Sequence, residues 1–206
     1  FQLGEIEKGM ENDVNVDKYA KTYFSAEQMQ EIRLGLENHI NVDLYATPEF
    51  DEWQMKQIRL GLEERLDVSI YTNPYFISGK MEEIRISLEK KLDVKIYARE
   101  EFNVEQMRQI RRGLEEGLSV KIYADPKFDS KQMNEIRIGL DERIKGIEIY
   151  ANPKFTAEQM ERVRKSIEEG MNLEVFEGIK PPTWKQVEFV LESNNLILQH
   201  TKKHHD

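Results

Sequence analysis

Residues 42–67 read VDLYATPEFDEWQMKQIRLGLEERLD, and the same frame returns every 26 residues. Val16, Val42, Val68, Val94 and Val120 hold the step, and Tyr19, Tyr45, Tyr71, Tyr97 and Tyr123 follow three residues behind. One extra residue near Gly146 shifts the frame, and Tyr150 resumes it. A fixed period in this range marks a stacked array, not a domain built around one central core.

The second half of the unit has the pattern of a helix. Ser25, Asp51, Asn103, Asp129 and Thr156 mark its start, each followed three residues later by Gln28, Gln54, Gln106, Gln132 or Gln159. That spacing is a capping box, in which two short side chains satisfy amides left free by the first turn. The third copy departs, with Ile77 and Ser78 ahead of Lys80, and reads as drift. Met29, Ile32, Leu36 and Ile40 form an apolar stripe at helical spacing, as do Met55, Ile58, Leu62 and Leu66. From cap to last apolar residue the helix is expected to run about 15 residues, or roughly 22 Å.

The first half has two readings. Val68 and Tyr71 share a side if Asp67 caps one turn of helix, whereas Val68, Ile70 and Thr72 alternate like a short strand. Lys18 at the alternate position weakens the strand pattern, and prolines 48, 74, 126 and 153 close the segment. The expectation is therefore an all-α, right-handed solenoid of short-helix/long-helix repeats. The strand reading would give an α/β solenoid of leucine-rich-repeat type. One unit buries too little to stand alone and needs neighbours on which to stack.

The chain divides into a partial repeat at 1–15, six tandem copies at 16–172, a divergent cap at 173–198 and a tail at 199–206. Phe1-Gln2-Leu3 aligns with Trp53-Gln54-Met55, so the chain is expected to open inside a helix and to continue upstream. In the cap, Phe176 replaces the tyrosine, Pro181-Pro182 breaks the frame and Thr183 to Gln186 restarts a capped helix.

The formal charge of −9 and pI near 5.2 weigh against a general nucleic-acid or anionic-membrane binder. The absence of cysteine excludes disulfides, thiolate metal sites and a cysteine nucleophile. With no membrane-spanning run, the chain is expected to be cytoplasmic. His39, His200, His204 and His205 do not form a metal-binding pattern, and neither metal nor cofactor is expected. No copy differs in a chemically pointed way, so the chain reads as non-enzymatic.

Two recurring columns stand out. Arg33, Arg59, Arg85, Arg111, Arg137 and Arg164 lie on the flank of the apolar stripe, with an acidic residue four positions later in every copy. Their expected role is to tie neighbouring units together; an anion-binding ladder is the alternative. Gly35, Gly61, Gly113 and Gly139, with Ser87 and Ser166 in the same column, imply close approach of a neighbouring backbone. Opposite the core stripe, Leu34, Trp53, Leu60, Ile86, Arg112 and Ile138 form a candidate ridge for a partner. The pairs Gln30 and Glu31, Lys56 and Gln57, and Arg108 and Gln109 vary between copies and are expected to contribute recognition.

Over residues 16 to about 172, the Tyr-Ala-x-Pro-x-Phe…Gln-Met-x-x-Ile-Arg-x-Gly-Leu-Glu consensus resembles tandem repeats of uncharacterised bacterial proteins, often linked to mobile genetic elements. That resemblance implies no activity. In unit size and plan the chain also looks like the leucine-rich-repeat variant proteins, which alternate α and 3-10 helices. The function expected is a protein-interaction or scaffold module, with a nucleic-acid array on the arginine column and a structural spacer as alternatives.

Overall fold

In a computed structural model, residues 1–179 and 181–203 are described, and none of them forms a strand. The long helices are α1 (Gln2–Glu11), α2 (Ala26–Glu37), α3 (Glu52–Glu63), α4 (Ser78–Glu89), α5 (Val104–Glu115) and α6 (Ser130–Asp141). They continue with α7 (Ile147–Tyr150), α8 (Ala157–Glu168) and α9 (Trp184–Lys203). Between them lie 3-10 turns at Val16–Lys18, Val42–Leu44, Val68–Ile70, Val94–Ile96, Val120–Ile122 and Glu174–Phe176. The all-α reading of the repeat therefore holds, and the strand alternative does not. The helix α9 runs to Lys203, and His204, His205 and Asp206 lie outside the described residues, as does the His200 side chain.

Two compact units, residues 1–107 and 108–206, each consist of stacked copies of this repeat. In the first, α1, α2, α3 and α4 pack in succession; in the second, α6 packs on α8 and α8 on α9.

Local chemistry explains each element. The Asn15, Asn41, Asp67 and Asp93 side chains accept the amide two residues ahead, which bends the chain into a 3-10 turn. At Ser119 the 3-10 turn forms without that bond; at Gly146, where the repeat gains one residue, φ is +76° and the segment winds as the α turn α7. Capping boxes close the starts of α2, α3, α6 and α8. The helix α4, headed by Ile77, has no side-chain cap.

The long helices are shorter than expected. The helices α2 and α3 have 12 residues each, and Ile40 and Leu66 lie beyond their ends. The cause is a left-handed residue that recurs with the repeat: Asp13, His39, Arg65, Lys91 and Arg143, with φ of 55–58°, and glycine at 117 and 170. Beyond it, the amides of Val14, Ile40, Leu66 and Leu92 bond back to the carbonyls of Gly9, Gly35, Gly61 and Ser87. This is the Schellman closure of a helix C-terminus. Glycine marks it in only two copies, so no common residue type announces it.

The Val, Tyr, Phe, Met and Ile columns form the core, with every tyrosine of the repeat fully buried. The Leu36 and Leu62 end of the stripe is half-buried. The glycine column has a different cause from the one expected. What approaches it is the side chain of the next tyrosine, not a backbone. A Cβ on Gly61 would lie 1.8 Å from the Tyr71 hydroxyl and 2.9 Å from Val68 Cγ1. The hydroxyl then donates to a helix carbonyl: Tyr19 to Glu5 (3.0 Å), Tyr45 to Glu31 (3.1 Å), Tyr71 to Gln57 (3.1 Å) and Tyr123 to Gln109 (3.3 Å).

Two predictions follow from this backbone. Gly61→Ala is expected to cost at least 2 kcal/mol despite the better helix propensity of alanine. Tyr71→Phe in the same chain is expected to recover part of that loss, measured by a double-mutant cycle of urea melts. Additive losses would reject the hydroxyl as the clashing group. Lys91→Gly is expected to raise stability by about 1 kcal/mol, because it relieves left-handed strain; an unchanged or lower melting temperature would contradict this.

Candidate interaction surface

The arginine column is consumed in the joints between repeats. Arg33 Nε donates to Glu5 of the preceding helix at 2.9 Å, and its Nη1 donates to Glu37 at 2.6 Å. Arg59 does the same with Glu31 (2.8 Å) and Glu63 (2.6 Å), and Arg85 with Gln57 (2.9 Å) and Glu89. In the second unit, Arg111 pairs with Glu115. Arg164 reaches Glu135 (3.2 Å), Glu142 (3.2 Å) and Glu168 (2.7 Å). Arg137 donates to Gln109 and Asn134, and turns to Glu116 (2.7 and 2.8 Å) where its own helix offers the shorter Asp141. A guanidinium fork suits this task because one planar group serves acceptors on different helices.

This geometry uncovers a column that the sequence reading took for variable. Glu5, Glu31, Gln57, Gln109 and Glu135 are the acceptors for those arginines. Glu31, Gln57 and Gln109 therefore face the joints between repeats as acceptors for the arginines. The alternation of Glu with Gln concealed a shared job: both present an oxygen at the same reach.

The capping glutamines also have a second role. Their Oε1 completes the cap, while Nε2 donates to the next repeat. Gln28 reaches Phe50 O (2.7 Å), and Gln54 reaches Phe76 O (2.7 Å) and Pro74 O (3.0 Å). In the third copy, Lys80 gives up the cap but keeps the clamp, donating to Glu100 O at 2.7 Å.

The candidate ridge divides. Leu34, Leu60, Ile86 and Ile138 are half-buried, whereas Trp53 (59% exposed) and Arg112 stand out in solvent. With Lys56, whose amine lies 5.8 Å from the Trp53 ring centroid, Trp53 and Leu60 form one stripe along the outer face of α3. Sequence reasoning missed the exposed residues just ahead of the helices: Tyr23, Tyr75 (84%) and Ile77 (58%). Their signal was that they break the repeat: Tyr23 and Tyr75 beside the recurring Phe, and Ile77 at the cap position itself. In the cap, Val175, Phe176, Ile179 and Phe189 line an apolar groove of about 420 Å³, with Phe189 mostly exposed.

Burial opposes ionisation of Glu5, yet hydrogen bonds from Lys8 and Arg33 outweigh it and hold the carboxyl below its ordinary 4.5. Glu37 is lowered in the same way, with burial opposed by Asn12 and Arg33. For Arg33 and Arg59, burial would lower the guanidinium pKa, but their carboxylate partners raise it. Burial pushes the Tyr45 and Tyr71 phenols up, keeping them as neutral donors. A carboxylate with a lowered folded pKa adds stability that is complete above 4.5 and is lost as pH falls through the folded value. Urea melts should therefore weaken below pH 4.5, by up to about 1.4 kcal/mol per pH unit per carboxylate. The slope should flatten in Glu5→Gln; an identical slope would remove Glu5 from the account.

No family model matches the chain, and neither a curated protein nor a solved structure does so.

Proposed function

We propose that this chain is a non-enzymatic protein-binding module whose partner lies along the outer helix face and the loops leading into it. One observation carries the reading. The positions that recur are mostly consumed in joints, caps and core, whereas the copies diverge at the exposed Gln30 and Glu82 and the half-buried Lys56 along the helices, and at the exposed Tyr23 and Tyr75 at their entry. Large exposed side chains on a rigid frame are the usual material of a recognition surface. The geometry disfavours the nucleic-acid alternative, because the arginines share their donors with carboxylate and amide oxygens inside the repeat joints. Among the described residues, no helix is long and apolar enough to cross a membrane.

A photo-crosslinking amino acid placed in turn at positions 30, 56 and 82 is expected to capture one discrete protein from an extract of the source cells. The same group at Asp43 and Ser69, exposed on the 3-10 side, should capture nothing. Absence of adducts at all five positions would overturn the protein-binding reading in favour of the spacer.

A further inference from the structure

Net charge separates the two units. Of the 39 acidic and 30 basic residues, 22 and 13 fall in residues 1–107, and 17 and 17 fall in residues 108–206. The whole formal charge of −9 thus resides in the unit that carries the exposed Tyr23, Trp53, Tyr75 and Ile77.

Two columns of the repeat bring these features together. The position ahead of the buried Phe reads Tyr23, Glu49, Tyr75 and Glu101; the second helical position reads Glu27, Trp53, Gly79 and Glu105. All of these side chains are exposed except at Gly79. Gln54 clamps the carbonyls on either side of Tyr75, which ties the Tyr75 loop to the start of α3, where Trp53 stands. Rings and carboxylates therefore alternate along one edge from copy to copy. In residues 108–206 the first column reads Lys127 and Lys154 instead.

The third copy adds an independent sign. Its cap position is Ile77, whose side chain accepts no amide and lies exposed, where the other copies hold a polar cap. The substitution loses a capping bond and places apolar surface in water. Both are unfavourable for the free protein, and burying the Ile77 side chain when the edge is covered offsets the cost.

Resting on the protein-binding reading above, we infer that the edge formed by Tyr23, Glu49, Trp53, Tyr75, Ile77 and Glu101 docks an extended, arginine- or lysine-rich segment of a partner protein. Aromatic faces attract cations, and the neighbouring carboxylates pair with them. Packed helices stand about 8–10 Å apart. An extended chain covers about 3.3 Å per residue, so a cation every third residue matches the repeat. A segment of about ten residues spans the four copies.

The test uses a fluorescently labelled peptide of four Arg-Ser-Gly triplets, read by anisotropy against the full chain. It is expected to bind at least tenfold more tightly than a peptide of the same composition with its arginines contiguous. Four Asp-Ser-Gly triplets should not bind. Tyr75→Ser and Glu49→Lys should each weaken binding at least fivefold without shifting the melting transition, and Lys127→Ser should leave it unchanged. Equal affinity for both arginine peptides, or binding indifferent to Tyr75→Ser and Glu49→Lys, would overturn the inference. So would capture, in the crosslinking experiment above, of an acidic partner unaffected by these substitutions; that outcome leaves the protein-binding reading standing. Absence of any crosslinked partner strikes at that broader reading instead.

Discussion

Each tyrosine of the repeat places its hydroxyl where a helix of the preceding copy has no Cβ. That single fit sets most of the rest. The hydroxyl reaches a carbonyl already inside the helix, so it must come closer to the backbone than any side chain there would allow; the missing Cβ of Gly61 would sit 1.8 Å from it. Glycine in mid-helix costs up to about 1 kcal/mol against alanine, and the bond with its buried ring offsets that cost. The exceptions obey the same rule. Ser87 stands in the glycine column, and there Tyr97 donates to Ser87 Oγ, which passes the bond on to Glu83 O. Ser166 also replaces glycine, and there the tyrosine has become Phe176, with no hydroxyl to accommodate. At the one-residue insertion the ring keeps its place over Gly139, but the Tyr150 hydroxyl is buried without a partner.

The ion pairs depend on that register. Once the tyrosine fixes how far one helix lies from the next, an arginine 28 residues after an acceptor falls within reach of it. A buried guanidinium left without its partner would cost several kcal/mol, so the column is held by necessity once it exists. Glutamine serves as well as glutamate at the acceptor because the second carboxylate, four residues on, supplies the charge. The ladder stops where its residues stop: Arg162 occupies the acceptor position facing α9, and the buried Leu191 takes the arginine position. Arg162 lies instead 5.5 Å from the Trp184 ring centroid.

Much of this was legible in the sequence. The period, the capping boxes, the core columns and the joint role of the arginines all follow from residue type and spacing. What stayed hidden had specific causes. The left-handed residue closing each helix is Asp, His, Arg or Lys in five copies, and none of these announces a helix end as glycine does. The Glu/Gln acceptor column looked variable because residue identity was compared, not hydrogen-bonding capacity. The glycine column signalled close approach, but nothing in one dimension said that the visitor was a side chain ten residues downstream. The outer ridge was found only in part. Helical angle placed Leu60 outward, yet it is half-buried, and the exposed Tyr23 and Tyr75 lie in loops where no helical periodicity applies.

The division between what recurs and what varies is itself a physical argument about binding. In a stacked array each recurring side chain answers to the same neighbours in every copy, so its identity is fixed by geometry inside the repeat. A position free of that constraint should drift towards small polar or charged residues, since these cost least in water. Trp53, Tyr75 and Ile77 drift the other way, and all three belong to the unit with the excess of carboxylates. Apolar rings in water and uncompensated negative charge are each unfavourable to the isolated unit. A cationic chain laid across them relieves both, while the joints beneath, already filled by the protein's own arginines, hold the edge at fixed spacing.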